Sequence, residues 1–221
     1  MKTLFITSSK KDVLTGILLA LWVIIGAVLL VTFIPVIYAM HIETFHLPTI
    51  TGLSSHEVMT SYQAVISYLG LGATGFMKVP HFAMTQHTLI HFKEVKMIFS
   101  VLEIFMIVAS LALIPLIYSC LKDHEVQFLK LGAIVTGLIA GIVSLFGMMN
   151  FEAAFNLMHQ LLFRNTYWII DPQLDPIINL FPETYFAYLG IAIALLIIGA
   201  IILMSLIYRL YCHHIKKQSV L

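Results

Sequence analysis

Four stretches of the chain hold almost nothing but apolar residues: roughly Leu14–Tyr38, Ile98–Ser119, Leu129–Met149 and Tyr185–Tyr208. About twenty such residues in a helix reach across the hydrocarbon of a bilayer, so the pattern predicts four transmembrane helices. Between them lie two segments, about 40–96 and 150–184, in which apolar and polar positions alternate at helical spacing. In the first, Pro48 and Gly52 act as breakers. Ser54-x-x-Glu57 then reads as a capping box opening a helix that Gly70 closes. Val58, Tyr62, Val65, Ile66 and Leu69 line one side of that helix, which suits a helix lying on a membrane surface. After Gly72, Gly75 and Pro80 a second helix starts at Thr85 and runs into the second span, with His87, His91, Glu94 and Ile98 on one face. In the later segment the spacing predicts a helix from Phe151 to about Phe163. Phe151, Phe155, Met158 and Leu162 form one stripe and Glu152, Asn156, His159 and Phe163 the next. Asp171-Pro172, Asp175-Pro176 and Phe181-Pro182 then force a looped return. In the third span, Gly137-x-x-x-Gly141 predicts close helix contact. Glu103 lies about six residues inside the second span, and Lys96, two turns earlier, is its expected partner.

Composition fixes the class. Of 221 residues, 60% are hydrophobic and 10% charged, where a soluble domain carries about 25% charged. The reading is an all-α integral membrane protein of one domain, without repeats, and mean hydropathy is +0.99. Lys2, Lys10 and Lys11 precede the first span as in a signal peptide, but its apolar run is too long and no small-x-small site follows, so it reads as an anchor. With these three, Lys122, Lys130, Arg209, Lys216 and Lys217 fall on one side. Only Lys78, Lys93, Lys96 and Arg164 oppose them. The positive-inside rule then puts both termini in the cytoplasm and residues 40–96 and 150–184 outside, as an extracellular cap. Net charge is +1 and no basic stripe is interleaved with aromatics, so no nucleic-acid partner is expected. Cys120 and Cys212 are too few for a disulfide framework and lie at the cytoplasmic ends of spans, which excludes an outer-face cysteine nucleophile.

Histidine carries the candidate chemistry. His124, His213 and His214 read as solvated, and His41, His46, His56 and His81 as polar tips at the membrane surface. His87 and His91 are stacked on one helix, and His159 shares a face with Glu152 and Asn156. Such residues could ligate zinc with a third donor, supply axial haem ligands, or act as acid and base. The chain has no His-Glu-x-x-His, no paired cysteines and no Gly-x-Ser-x-Gly, so no metal and no cofactor are expected. Glu94, Arg164 and Tyr167 join Glu152 and Asn156 as supporting groups. Tyr62, Tyr68, Phe155, Phe163, Trp168 and Phe181, with Asp171, Asp175 and Glu183 among them, could wall a dry pocket for a lipid-bearing substrate. A cap that only binds a partner is a third reading, against which the density of titratable groups beside His159 counts.

The block Phe155-Asn156…His159…Phe163…Trp168…Asp171-Pro172…Asp175…Ile178…Phe181-Pro182-Glu183…Phe186 is similar to the second outer segment of the bacterial lipoprotein intramolecular transacylases (Lit). His91-Phe92-Lys93-Glu94-Val95-Lys96 resembles that family's His-hydrophobic-x-Asp-Val-Lys element, with Glu94 in place of Asp. Ser61-Tyr62…Tyr68-Leu69 resembles its Asn-Tyr…Tyr-Leu stretch. The resemblance implies an acyltransferase of the bacterial cytoplasmic membrane with its active site at the outer face. It would act on diacylglyceryl-modified lipoproteins among membrane lipid, moving the sn-2 acyl chain onto the α-amine of the N-terminal cysteine to give the lyso form. The family's two catalytic histidines fall on His91 and His159, with His87 one turn away. A haem- or metal-binding four-helix module is the alternative.

Overall fold

Apolar length becomes helix in all four predicted spans. The computed structural model describes residues 9–218. Lys2 lies outside the described residues, as do the side chains of Lys216 and Lys217. Helix α1 (Lys10–Phe33) stops short of the apolar run it begins, because Pro35 offers no N–H and crowds the preceding turn. The run resumes as the short α2 (Val36–His41), followed by α3 (Leu47–Thr51). Next comes α4 (Ser55–Leu69), whose capping box between Ser54 and Glu57 is complete. Helix α5 (Gln86–Lys122) carries the second span without interruption from its histidine-bearing start. Helix α6 (Gln127–Met149) follows. The Asn150 side chain accepts from the Ala153 N–H and opens α7 (Phe151–Leu162). The proline-rich return holds one 3₁₀ turn, Pro176–Leu180, and α8 (Glu183–Gln218) completes the chain. No strand occurs among the described residues. Helices α1, α5, α6 and α8 are each long and apolar enough to cross a membrane.

The contacts divide the chain into two compact units, the described parts of Met1–Ala27, Phe105–Ser144 and Ala194–Leu221 forming one, and Val28–Ile104 with Leu145–Ile193 the other. In the first, Cys120, Phe128, Leu129, Ala133 and Met204 are buried together. The buried Asp12 carboxylate accepts from the Phe128 backbone N–H, capping α6 from a distant part of the chain. Lys11 pairs with Asp123 and Glu125. The close approach of helices falls at Gly16 and Gly132 rather than at the expected Gly137 and Gly141. A Cβ on Gly16 would stand 2.9 Å from Leu131 Cβ, whereas one on Gly141 would meet nothing within 4 Å. Small residues permit contact only where a neighbour arrives, and spacing alone does not tell which do.

In the second unit the apolar face of α4 is covered by protein, not laid on a surface. Val58, Tyr62 and Val65 pack with Tyr38, Leu47, Phe92, Ile177, Leu180 and Tyr185. Tyr38 stacks on Tyr62 at 3.6 Å between ring centroids, and the Tyr62 and Tyr185 hydroxyls share a 2.8 Å hydrogen bond. Lys96 does not reach Glu103. Its ammonium donates to the Ala73 carbonyl and sits 4.5 Å over the Tyr68 ring.

Candidate active site

Two elements carry the site, and both belong to the second unit. The first is the opening of α5, before the apolar run that begins at Ile98. Its start is fixed by Asp175, which is buried and accepts from the Thr85 N–H, the Thr85 hydroxyl at 2.7 Å and the Thr88 hydroxyl at 2.9 Å. A carboxylate at a helix N-terminus that accepts from one backbone N–H and two hydroxyls satisfies an orphan donor and interacts favourably with the macrodipole. That anchor sets the rotation of α5 and so the direction of His91. The second element is α7, whose buried side chain is His159. Met158 and Leu162, expected in the apolar stripe, are exposed. The protected face runs instead through Phe155, His159 and Phe163.

The His91 and His159 rings lie 6.1 Å apart, centroid to centroid, and are 7% and 8% exposed. Phe163 meets His91 edge-on at 4.9 Å, while Phe155 and Trp168 flank His159 at 4.0 and 4.9 Å. His159 Nδ1 lies 2.8 Å from the Phe155 carbonyl oxygen. A carbonyl can only accept, so Nδ1 holds the proton and Nε2 keeps the free lone pair whenever the ring is neutral. Burial pushes the His159 pKa down, partly opposed by that carbonyl. Burial, with the nearby His159, pushes His91 down to about 4. Both rings are therefore neutral near pH 7 and able to take a proton.

The surrounding loop is held by Asn165, which sequence reasoning missed. Its Nδ2 donates to Glu94 Oε1 at 2.7 Å, its Oδ1 accepts from the Tyr167 N–H, and its carbonyl accepts from Trp168 Nε1 at 3.0 Å. The turn from Asn165 to Tyr167 is a legible Asx pattern; the partner Glu94, 71 positions earlier, is not.

The remaining expected residues disperse around this centre. His87 is exposed and stacks on Tyr167 at 4.3 Å. Both line a cavity of about 620 Å³ with Asp171 and Asp175. Asn156, Arg164 and Trp168 line another of about 510 Å³. Asp171 accepts from the Gln173 N–H. Phe181 packs against Tyr62 and Phe92, and Tyr62 and Tyr68 are engaged as described above. Glu152 and Glu183 are exposed in the first turns of α7 and α8. Among the described residues, the histidine, cysteine and acidic donor atoms that lie within 4.8 Å of one another belong to Asp12, Cys120 and Glu125. Two of these are already occupied, Asp12 by Phe128 and Ser9 and Glu125 by Ser9 and Lys11.

Four helices long and apolar enough to cross a membrane define a multi-pass membrane protein, in which a buried, tautomer-fixed histidine stands beside a second histidine. Residues 13–186 match the model of the family "Lipoprotein intramolecular transacylase Lit". The chain belongs to that family and is an acyltransferase. It is similar to the in meso structure of the lipoprotein intramolecular transacylase Lit from Bacillus cereus, with a TM-score of 0.90 and 29% identity over 96% of this chain and 97% of that one. Two variants of the Bacillus cereus protein, with one histidine replaced by arginine or by alanine, match with TM-scores of 0.83 and 29% identity, covering 95% and 96% of this chain and 92% and 94% of theirs. No curated protein sequence matches it.

Proposed function

We propose that this chain converts diacylglyceryl-modified lipoproteins to the lyso form by moving the sn-2 acyl chain onto the α-amine of the N-terminal cysteine. The observation that carries the reading is the His91–His159 pair inside an aromatic cage, on a chain of this family. The α-amine has an ordinary pKa of about 7.7–8.0, so part of it is free base near neutral pH. It attacks the ester carbon. The free Nε2 of His159 takes the proton released from nitrogen and returns it to the sn-2 oxygen as the C–O bond breaks. His91, facing the same space, stabilises the tetrahedral oxyanion. Amine and ester carbon are joined through the cysteine and glyceryl group, and their attack closes a medium ring that forms poorly in water. Holding the two ends together is the task of Phe155, Phe163 and Trp168.

The protein acts as a single integral domain of the bacterial cytoplasmic membrane, with both termini inside and the site under a cap on the outer face. Mass spectrometry tests the reaction. Purified protein should convert a diacyl lipopeptide to an isomer of unchanged mass with one acyl chain on nitrogen. A heavy-labelled substrate mixed with an unlabelled one of different peptide sequence should give products keeping only their own chains. Scrambled label would remove the intramolecular step.

A further inference from the structure

Glu94 and His91 stand three residues apart on one face of α5, and each has a buried polar atom without a hydrogen-bond partner, Glu94 Oε2 and His91 Nδ1. The other Glu94 oxygen is taken by Asn165 at 2.7 Å, which fixes the plane of the carboxylate and leaves Oε2 as the open position. A buried carboxylate oxygen facing no donor is costly, and the basic residues beside it on α5 do not relieve it. Lys96 is bound to Ala73 and Tyr68, and Lys93 is exposed. Within one helical turn of His91, the site therefore keeps an acceptor, held in place, for a cationic N–H donor supplied from outside the chain.

We infer that Glu94 receives the α-ammonium of the lipidated cysteine, with Asn165 as the positioning residue that holds the carboxylate for it; this rests on the transacylase reading above. The chemistry gives the contact a second consequence. On acyl transfer the ammonium nitrogen loses two protons, one delivered to the departing glyceryl oxygen and one to solvent, and becomes a neutral amide. The group that Glu94 held by charge no longer exists in the product. The same carboxylate thus admits lipoproteins with a free amine, disfavours those already N-acylated, and weakens the hold on product once the bond has formed.

Binding rather than turnover tests this. A diacyl lipopeptide whose sn-2 chain is ether-linked cannot transfer it, and its free-amine and N-acetylated forms differ at the nitrogen alone. Displacement of a fluorescent lipopeptide from the purified full chain at pH 6.5 should show the free-amine form bound at least about tenfold more tightly, the scale of a desolvated charge pair. Glu94→Gln keeps an acceptor for Asn165 and should bring the two affinities to within about twofold. Glu94→Asp should restore most of the preference. In the same variants the acid limb of kcat should move to lower pH for Glu94→Gln, since a bound amine without its carboxylate deprotonates more readily. Equal affinity of the two forms for the wild-type protein, or a full preference retained by Glu94→Gln, overturns the inference. Neither result depends on acyl transfer, so failure of the transacylase reading would show separately, as an ester lipopeptide left unchanged.

Discussion

Two neighbours, Phe155 and Trp168, set the state of His159 more than its own chemistry does. The Phe155 carbonyl fixes its tautomer, Phe155 and Trp168 remove water from its faces, and the resulting burial keeps it neutral. If it and His91 carry the proton transfer and the oxyanion, His91→Ala or His159→Ala should lower turnover about a hundredfold or more. The thermal midpoint should change little, and N-acyl product measured by mass spectrometry reads the loss. His87→Ala should be milder, because that ring is exposed and stacked on Tyr167. Stability should follow pH with a definite sign. Below the ordinary histidine value of about 6.5, the unfolded chain binds protons that the buried rings refuse, so stability rises with pH. Acidification from 6.5 towards the folded His91 value of about 4 should lower the thermal midpoint, and His91→Gln should flatten that slope. At this scale helical spacing put His87, His91 and His159 on faces with other polar groups; the choice of His91 over His87 rested on the family resemblance, not on spacing. The bond from Asn165 to Glu94 was not legible, since a hydrogen bond between distant parts of a chain leaves no periodic trace.

Elements were legible where one local rule decided them. The Ser54–Glu57 box and the α7 start after Asn150 both follow from neighbours in sequence. What each face meets does not: α4 was amphipathic enough for a surface, yet it packs on Tyr38 and Leu180. The anchor of α5 is likewise a tertiary fact, a carboxylate from the proline-rich return. Asp175→Asn should cost about 2–3 kcal/mol through lost charged hydrogen bonds, roughly 5–10 °C in midpoint for a chain of this size, and should reduce turnover by loosening the start of the helix that carries His91. Glycine gives a sharper contrast. Gly16→Ala places a methyl 2.9 Å from Leu131 Cβ and 3.0 Å from the Phe128 carbonyl oxygen, an overpacking cost of about 1–3 kcal/mol. Gly141→Ala meets nothing within 4 Å and should be neutral or stabilising, as alanine favours helix by about 1 kcal/mol. Paired thermal scans separate the two. If Gly141→Ala proved the more damaging, the helix contact would lie where the sequence pattern placed it.

For the whole molecule, the proposed orientation rests on the arrangement of charge. Basic residues concentrate at the start of α1, around the α5–α6 connection and at the end of α8. There Lys11 is held by Asp123 and Glu125, so part of its charge is neutralised locally. Lys10, Lys122 and Lys130 are exposed and have no such partner among the described ion pairs, and positive residues in short segments resist translocation. On the orientation proposed above, Gly72 and Gln173 lie on the outer face. Both positions are exposed, and a side chain at Gly72 meets nothing within 4 Å, so single cysteines there should be tolerated. In intact cells each should react with an impermeant thiol reagent, while Cys120, fully buried, and Cys212 stay unlabelled. Opening the membrane should add reaction at Cys212, which is partly accessible, and leave Cys120 silent until the protein unfolds. Labelling of Cys212 in intact cells, with the new cysteines protected, would invert the molecule and put the histidine pair on the cytoplasmic side, where it would meet no translocated lipoprotein.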